Sequence, residues 1–279
     1  MNSVCVCGAG TMGSGIAQLA AGAGFKTILF DISTDMIATA ETKLTSDLQK
    51  LVSKQKISED QREKILNNID FTSDLNKCRA DLIIEAVVEK SDVKVGLFQS
   101  LASINEPSVI FASNTSSLSI TKLAEQIPSP QRFAGMHFFN PAPVMKLVEV
   151  VKGDKTSDEI IGQIVGVAKA MGKTPVVCKD APGFIVNRVA RPFYIESLRL
   201  AEEGVADFET IDLLLQSAGF KMGPFKLMDL IGNDVNYSVS CSVYDQLNRP
   251  ERLRPSNVQQ EKVEKGELGK KTGSGYYHY

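Results

Sequence analysis

The segment Ser3-Val-Cys-Val-Cys-Gly-Ala-Gly-Thr-Met-Gly13 decides the fold class of this chain. Its first five residues are mostly β-branched or small and apolar, which predicts a short strand, and three glycines follow at once. Apolar spacing then predicts a helix over residues 16–23 and a second strand over residues 27–31. A strand, a glycine turn, a helix and a strand in this order indicate the βαβ unit of a parallel sheet.

The glycines of this segment have the spacing G-x-G-x-x-G of dinucleotide-binding turns. In such turns the backbone approaches a pyrophosphate, which lies at the positive end of the following helix. An acid at the end of the second strand would bind the adenosine ribose and repel a 2′-phosphate, which favours NAD over NADP. A glycine turn that only packs is the alternative. The predicted NAD contacts are Gly8, Gly10, Thr11, Met12, Gly13 and Asp31.

The rest of the N-terminal part continues the alternation of strands and helices. Residues 35–54 and 58–67 carry helical apolar spacing with many lysines, and they predict a helical hairpin inserted before the third strand. Further strands are predicted over 81–88, 109–113 and 133–139, with helices over 97–104 and 120–127. Near-continuous apolar strands that alternate with helices indicate a Rossmann-type, doubly wound α/β domain.

The pattern becomes wholly helical after residue 182, so we place a boundary between residues 1–182 and an all-α domain of residues 183–279. Pro182 is expected in the first helical turn. Helices are predicted over 184–203, 208–217, 224–231, 235–247 and 257–265. The expected N-caps are Asp207 and Ser256, and the expected C-terminal caps are Gly204 and Gly219.

Composition excludes several classes of function. The net charge of −2 provides no field to attract nucleic acid, and no apolar run approaches membrane-spanning length. The first strand is predicted to begin close to Met1, so neither a signal peptide nor a transit peptide is expected, and a cytoplasmic location is predicted unless a presequence has been removed. Cys5 and Cys7 resemble a metal-binding pair, but no second pair follows at zinc spacing. Reduced, buried thiols are the expectation, without a metal.

Oxidation of an alcohol needs a group that takes the hydroxyl proton, and the chain offers only His137 and His278. His137 ends a predicted strand at the edge where parallel sheets bind ligands. If the chain folds back about Pro143, Glu149 lies opposite His137 on the same face and can orient the imidazole. The alternative is a core histidine beside an exposed strand glutamate. Ser116 and Ser117 follow a strand end and face the same cleft, and they are also candidate N-caps for the helix near residues 118–126, a role compatible with the first.

Several long motifs together resemble the 3-hydroxyacyl-CoA dehydrogenase family, in particular its small stand-alone bacterial members that act on 3-hydroxybutyryl-CoA. The resemblance covers essentially the whole chain. The motifs are Gly8–Gly13, Ser113–Ser117, His137–Val150, Asp180–Arg188, Met222–Phe225 and Gly269–Tyr277.

The resemblance implies that the chain interconverts (S)-3-hydroxyacyl-CoA and 3-ketoacyl-CoA with NAD. It implies that His137 is the catalytic base and that Glu149 orients it. The position of Ser116 contacts the substrate oxygen and the cofactor, and that of Asn187 helps to hold the substrate. The matching cofactor contacts are Glu89, Lys94, Ser116, Asn140 and Lys271.

The family also implies a CoA site and a homodimer formed through the helical C-terminal domain. Lys54 matches a lysine near the CoA phosphates, and Lys50 of the same hairpin is a further predicted substrate contact. Asp47 departs from the serine that some members carry. For each single lysine, a solvated helix face is the alternative.

Two other functions are considered. The first is oxidation of a free hydroxy acid or sugar acid by an enzyme of the same superfamily. Phe138 and Phe139 and the lysine-rich hairpin favour an acyl thioester instead. The second is a non-enzymatic nucleotide-binding or structural protein, against which the intact set of candidate catalytic residues argues.

Overall fold

The computed structural model describes residues 1–279, which form two compact units, Met1–Asp180 and Ala181–Tyr279. The first unit is a mostly parallel sheet flanked by helices, and the second is helical, which confirms the predicted fold class. None of the helices combines the length and the apolar character that a membrane crossing requires.

The first unit contains eight strands in the order β3-β2-β1-β4-β5-β6-β7-β8. All neighbouring strands are parallel except β6 and β7. The strands are β1 Ser3–Cys7, β2 Lys26–Phe30, β3 Ile69–Thr72, β4 Leu82–Glu85, β5 Ile110–Ser113, β6 Phe133–Phe138, β7 Leu147–Lys152 and β8 Thr174–Lys179. The helices are α1 Thr11–Gly22, α2 Thr34–Ser53, α3 Glu59–Asn67, α4 Ser91–Ile104, α5 Ile120–Ala124 and α6 Asp158–Ala170.

The middle of the sheet positions the candidate site. Strands β4, β5 and β6 are buried along their whole length, because parallel strands are covered by helices on both faces. The strand order changes direction between β1 and β4, and the crevice at their carboxyl ends is where such sheets bind ligands. The predicted helical hairpin is present as α2 and α3, and Ser58 forms a capping box with Gln61 at the start of α3.

Strands β3 and β8 were not predicted. Both lie at the edges of the sheet, where a strand pairs on one side only. β3 has four residues, and most of β8 is exposed or half-buried. Neither strand therefore carries the continuous apolar run that marks the central strands.

The second unit contains five helices, α7 Val186–Glu202, α8 Phe208–Ser217, α9 Pro224–Ile231, α10 Asn233–Gln246 and α11 Asn257–Glu264. The predicted caps are confirmed: Asp207 and Ser256 accept backbone hydrogen bonds, and Gly204 and Gly219 have positive φ.

The expectation for Pro182 is wrong, because it lies in a turn before the helix. Gly183 and Phe184 have φ of 74° and 48°, in the left-handed region, so α7 begins only at Val186.

Candidate active site

The glycine turn between β1 and α1 has the geometry that a pyrophosphate requires. Gly8 has φ of 107°, and a Cβ there would lie 2.6 Å from the carbonyl oxygen of Ala86. A Cβ on Gly13 would lie 1.7 Å from the oxygen of Gly8, so only glycine allows this close packing of helix on strand. A Cβ on Gly10 would meet no atom within 4 Å, which leaves the backbone open on that side.

No side chain caps the start of α1, so its first N–H groups are available to an anion. A cavity of about 840 Å³ begins at the same turn. Its lining includes Gly8, Gly10, Thr11, Met12 and Asp31. An NAD fits these features, with its pyrophosphate at the helix end and its adenosine in the cavity.

The Asp31 carboxylate stands beside this turn. Its Oδ2 accepts a hydrogen bond from the Ala9 N–H at 2.8 Å, and its Oδ1 accepts one from the Ser33 N–H at 3.0 Å. These bonds fix the carboxylate at the cavity, where it can accept hydrogen bonds from ribose hydroxyls. A ribose 2′-phosphate would meet a negative charge at this point.

We expect Asp31→Ala to lower kcat/KM for NADH by about 10- to 100-fold, the size of a lost hydrogen bond to a charged group. The value for NADPH should rise, because the repelling charge is gone. Initial rates with both cofactors measure this change. Asp35→Ala, which removes an exposed acid from the first turn of α2, is the matched control. Equal kcat/KM for the two cofactors in the unaltered protein would contradict the assignment.

The predicted pairing of His137 and Glu149 is confirmed. The chain folds back after β6, and the antiparallel register of β6 and β7 places the two residues directly opposite each other. Both are buried, and His137 Nδ1 lies 2.8 Å from Glu149 Oε2. The carboxylate therefore accepts the Nδ1–H and selects the tautomer in which Nε2 is an acceptor. This geometry excludes the alternative of an exposed glutamate.

Ser116 completes a chain of three polar side chains. Its Oγ lies 3.0 Å from His137 Nε2. The expectation that this serine or the next one caps the helix is wrong, because α5 begins later, at Ile120. The cap is Ser119, whose Oγ accepts from the Lys122 N–H at 3.2 Å. A hydroxyl, an imidazole and a carboxylate in line can move a proton between a bound alcohol and the protein.

Glu89 organises the loop that carries Ser116. Its Oε1 accepts hydrogen bonds from the Thr115 hydroxyl at 2.5 Å, the Ser116 N–H at 2.9 Å and the Ser117 N–H at 3.1 Å. Its Oε2 lies 3.1 Å from Lys94 Nζ. Burial alone would raise the pKa of the Glu89 carboxyl, but the Lys94 charge and the hydroxyl donors outweigh it and lower the pKa. Glu89 is therefore a carboxylate that holds the serine loop.

Lys94, one of the predicted cofactor contacts, is buried with an exposed fraction of 1%. Its Nζ lies 2.6 Å from the Oε1 of Glu85, a fully buried carboxyl at the end of β4. Glu85 also accepts hydrogen bonds from the Ser113 hydroxyl at 2.6 Å and the Val87 N–H at 2.7 Å. Burial raises the pKa of the Glu85 carboxyl, and Lys94 offsets part of that rise. Lys94 thus links the end of β4 to the serine loop through Glu89.

The other predicted site residues of the first unit lie at two places. Asn140 lines a cavity of about 430 Å³ together with Gly10 and Thr11. Lys50 lines a shallow cavity on α2. Its Nζ lies 2.8 Å from Oδ1 of Asp47, the residue that replaces the serine of some family members. Lys54 is exposed at the C-terminal cap of α2.

Asn187 and Lys271 belong to the second unit. Asn187 lies in the first turn of α7, and its carbonyl oxygen accepts a hydrogen bond from Arg191 Nε at 3.1 Å. Lys271 Nζ lies 2.6 Å from Asp234 Oδ1.

The paired thiols of β1 belong to the core. Cys5 and Cys7 share one face of the strand, their Sγ atoms are 3.8 Å apart, and both side chains are fully buried. No group of three His, Cys, Asp or Glu side chains is arranged to hold a metal ion.

Two residues of the site region were missed by the sequence interpretation. Glu85 ends an apolar strand, and an acid at such a place is a signal that was available. Lys173 is buried and donates to the carbonyl oxygens of Ala142 at 2.5 Å and Met145 at 2.9 Å, which anchors the turn that carries Asn140. No local pattern distinguishes this lysine from the exposed ones.

Comparison with known protein families gives two matches that together span nearly the whole chain. Residues 3–181 match the NAD binding domain of 3-hydroxyacyl-CoA dehydrogenase. Residues 183–279 match the C-terminal domain of the same enzyme.

Curated relatives cover all or nearly all of the chain. The 3-hydroxyadipyl-CoA dehydrogenase of Escherichia coli is 47% identical over 100% of this chain, which spans 59% of that longer protein. The probable 3-hydroxybutyryl-CoA dehydrogenase of Deinococcus radiodurans is 41% identical, over 98% of this chain and 99% of the relative. Among solved structures, (S)-3-hydroxybutyryl-CoA dehydrogenase from Ralstonia eutropha superposes with a TM-score of 0.96 at 38% identity, covering 100% of this chain and 99% of that one.

Proposed function

Because the chain belongs to the 3-hydroxyacyl-CoA dehydrogenase family, we propose that it interconverts (S)-3-hydroxyacyl-CoA and 3-ketoacyl-CoA with NAD. The observation that carries this proposal is the hydrogen-bonded chain from half-buried Ser116 through buried His137 to buried Glu149. It supplies a general base at the carboxyl edge of the sheet that also bears the dinucleotide turn.

In this proposal His137 moves the proton. Its Nε2, left without a proton because Glu149 accepts the Nδ1–H, takes the proton of the 3-hydroxyl as hydride leaves C3. NAD, when bound, accepts that hydride. The buried Glu149 carboxylate stabilises the imidazolium that forms. In the reverse direction the imidazolium returns its proton to the ketone oxygen.

The Ser116 hydroxyl orients the reacting oxygen. It stands at hydrogen-bond distance from His137, and the Glu89 carboxylate holds its backbone N–H. A hydroxyl can donate to the alkoxide-like oxygen and accept from the alcohol, so it serves both directions of the reaction. The resemblance implies that Asn187 helps to hold the substrate, and we propose that it hydrogen-bonds the same oxygen.

The proposed substrate is a CoA thioester, with 3-hydroxybutyryl-CoA as the simplest candidate. The lysines of the α2–α3 hairpin suit its phosphates. Lys50 lines a cavity of about 580 Å³ on α2 with Lys43, and exposed Lys54 follows at the end of the helix. We propose Lys50 and Lys54 as CoA contacts. Such surface contacts contribute about 1 kcal/mol or less and weaken with salt.

We further propose that residues 1–182 bind NAD and that residues 183–279 form a homodimer and contribute to the substrate site. The second unit carries exposed apolar side chains that a partner subunit would cover. Leu213 is 64% and Leu214 is 68% exposed on α8, and Phe220 follows them. We propose the cytoplasm as the location, where buried thiols such as Cys5 and Cys7 stay reduced.

Incubation of the purified protein with acetoacetyl-CoA and NADH tests the function. Oxidation of NADH, with formation of (S)-3-hydroxybutyryl-CoA, is the expected result. Oxidation of free hydroxy acids with NAD, without turnover of the thioester, would point to the related acid dehydrogenases. Binding of NADH without turnover of any 3-ketoacyl-CoA would favour a non-enzymatic role and refute the proposal.

A further inference from the structure

The second unit buries one cation that no carboxylate contacts. Arg191, on α7, is 2% exposed. Its Nη1 donates to the carbonyl oxygen of Asn236 at 2.9 Å and to the Ser240 hydroxyl at 2.8 Å. Its Nε donates to the carbonyl oxygen of Asn187 at 3.1 Å. All of these acceptors are neutral.

This arrangement is energetically costly in the absence of an anion. Arginine is almost never buried without a negative partner, because the charge loses its hydration. Burial lowers the pKa of Arg191 to about 10, and only the Tyr194 ring, 4.9 Å from the guanidinium carbon, opposes that effect. Other arginines of the unit pair with acids, as Arg199 does with Glu196 and Arg249 with Asp245. The second unit therefore contains acids that pair with arginines, but none of them contacts the Arg191 guanidinium.

The guanidinium has donors left over. Of its five N–H groups, one on Nε and two on Nη1 are used, which leaves the two on Nη2. Nη2 makes no hydrogen bond within the protein and is not among the fully enclosed polar atoms without a partner. Although Arg191 is only 2% exposed, Nη2 is therefore not fully enclosed, and an acceptor from outside can approach it.

The position of this surface points to the acyl chain. Arg191 follows Asn187 by one turn of α7, so the two side chains lie on the same helix face, about 5–6 Å apart at Cβ. Asn187 is the residue assigned to the reacting C3 oxygen. In an extended six-carbon acyl chain, the carboxylate oxygens at C6 lie four bonds beyond C3 and span a similar distance.

We propose that Arg191 binds a carboxylate at the far end of the acyl chain, so that the preferred substrates are 3-hydroxyacyl-CoA thioesters of dicarboxylic acids. This inference rests on the proposed function. The two Nη2 donors form charge-assisted hydrogen bonds with the carboxylate, and the anion supplies the charge that Arg191 lacks. A chain that ends in a methyl group leaves the buried cation uncompensated.

The test compares two substrates of equal chain length, 3-hydroxyadipyl-CoA and 3-hydroxyhexanoyl-CoA, with NAD. The unaltered protein should have the higher kcat/KM for the adipyl substrate. Arg191→Met should lower that value by about 10- to 100-fold, mainly through KM, and change the hexanoyl value little. Arg199→Met removes an arginine from the same helix that already has an acid partner, and it should leave the preference unchanged.

Three results would overturn the inference. A preference of the unaltered protein for the hexanoyl substrate, or equal losses on both substrates in Arg191→Met, makes Arg191 a structural residue. Failure of the unaltered protein to oxidise either substrate refutes the proposed function itself, and this inference with it.

A binding measurement covers the case in which Arg191→Met does not fold. Adipyl-CoA and hexanoyl-CoA lack the 3-hydroxyl and act as competitive inhibitors of the unaltered protein. Adipyl-CoA should inhibit at the lower concentration, and equal or stronger inhibition by hexanoyl-CoA contradicts the assignment.

Discussion

His137→Gln should lower kcat by roughly 10²–10⁴-fold, the contribution of general acid–base catalysis, while NADH binding stays nearly intact. Glutamine keeps polar contacts with Ser116 and Glu149 but cannot take a proton from the substrate. The glycine turn and Asp31, which hold the dinucleotide in this proposal, belong to a different part of the site from the imidazole. Steady-state kinetics with acetoacetyl-CoA measures the first effect, and fluorescence titration with NADH measures the second.

The partner of His137 provides the stricter test. Glu149→Gln keeps the shape of the side chain, removes the charge that stabilises the imidazolium, and should also slow the reaction. The two changes should be strongly non-additive, because residues that act as a unit lose their function together. A double variant whose loss equals the product of the single losses would show that Glu149 acts independently of His137.

Lys94→Met should destabilise the protein by about 3–5 kcal/mol, the cost of removing one partner from a buried ion pair. Lys94 is the only cation in contact with Glu85, and its loss leaves that carboxylate in the core with hydrogen bonds from Ser113 and Val87 alone. Urea unfolding at neutral pH, followed by circular dichroism, measures the difference. Lys90→Met, which removes an exposed lysine at the start of the same helix, is the matched control and should change stability little.

The destabilisation should depend on pH in a defined direction. Burial already raises the pKa of Glu85 above its unfolded value, and removal of Lys94 raises it further. The folded variant then binds a proton more readily than the unfolded chain, so its stability increases as the pH falls. The deficit relative to the unaltered protein should therefore shrink in acid. A deficit that stays constant or grows would show that lost packing, and not the charge of Glu85, causes it.

Lys94 should also affect catalysis through the serine loop. Glu89 holds the backbone of Ser116, and Lys94 holds Glu89. At a temperature where the variant is folded, a lower kcat is the expected outcome.

The nucleotide turn could be predicted from sequence because its signals are local. The glycines, the apolar strand before them and Asp31 lie within one βαβ unit, and each has a conformational or steric reason visible at that position. The pairing of His137 with Glu149 was also predictable, although they lie twelve positions apart in sequence. A single turn joins their strands, and Pro143 marks the point about which they are symmetric.

Other features depended on elements that meet only in the folded chain. The periodicity of α4 does not distinguish buried Lys94 from exposed Lys90, because the difference lies in what β4 places opposite the helix. The sequence does not show that Arg191 is a buried cation without an acid partner, because its burial and its hydrogen bonds depend on the packing of α10 against α7. Hydrophobic patterns report which face of an element is covered. They do not report which residue of another element covers that face. This residue is known only from the tertiary structure, because the two elements are far apart in sequence.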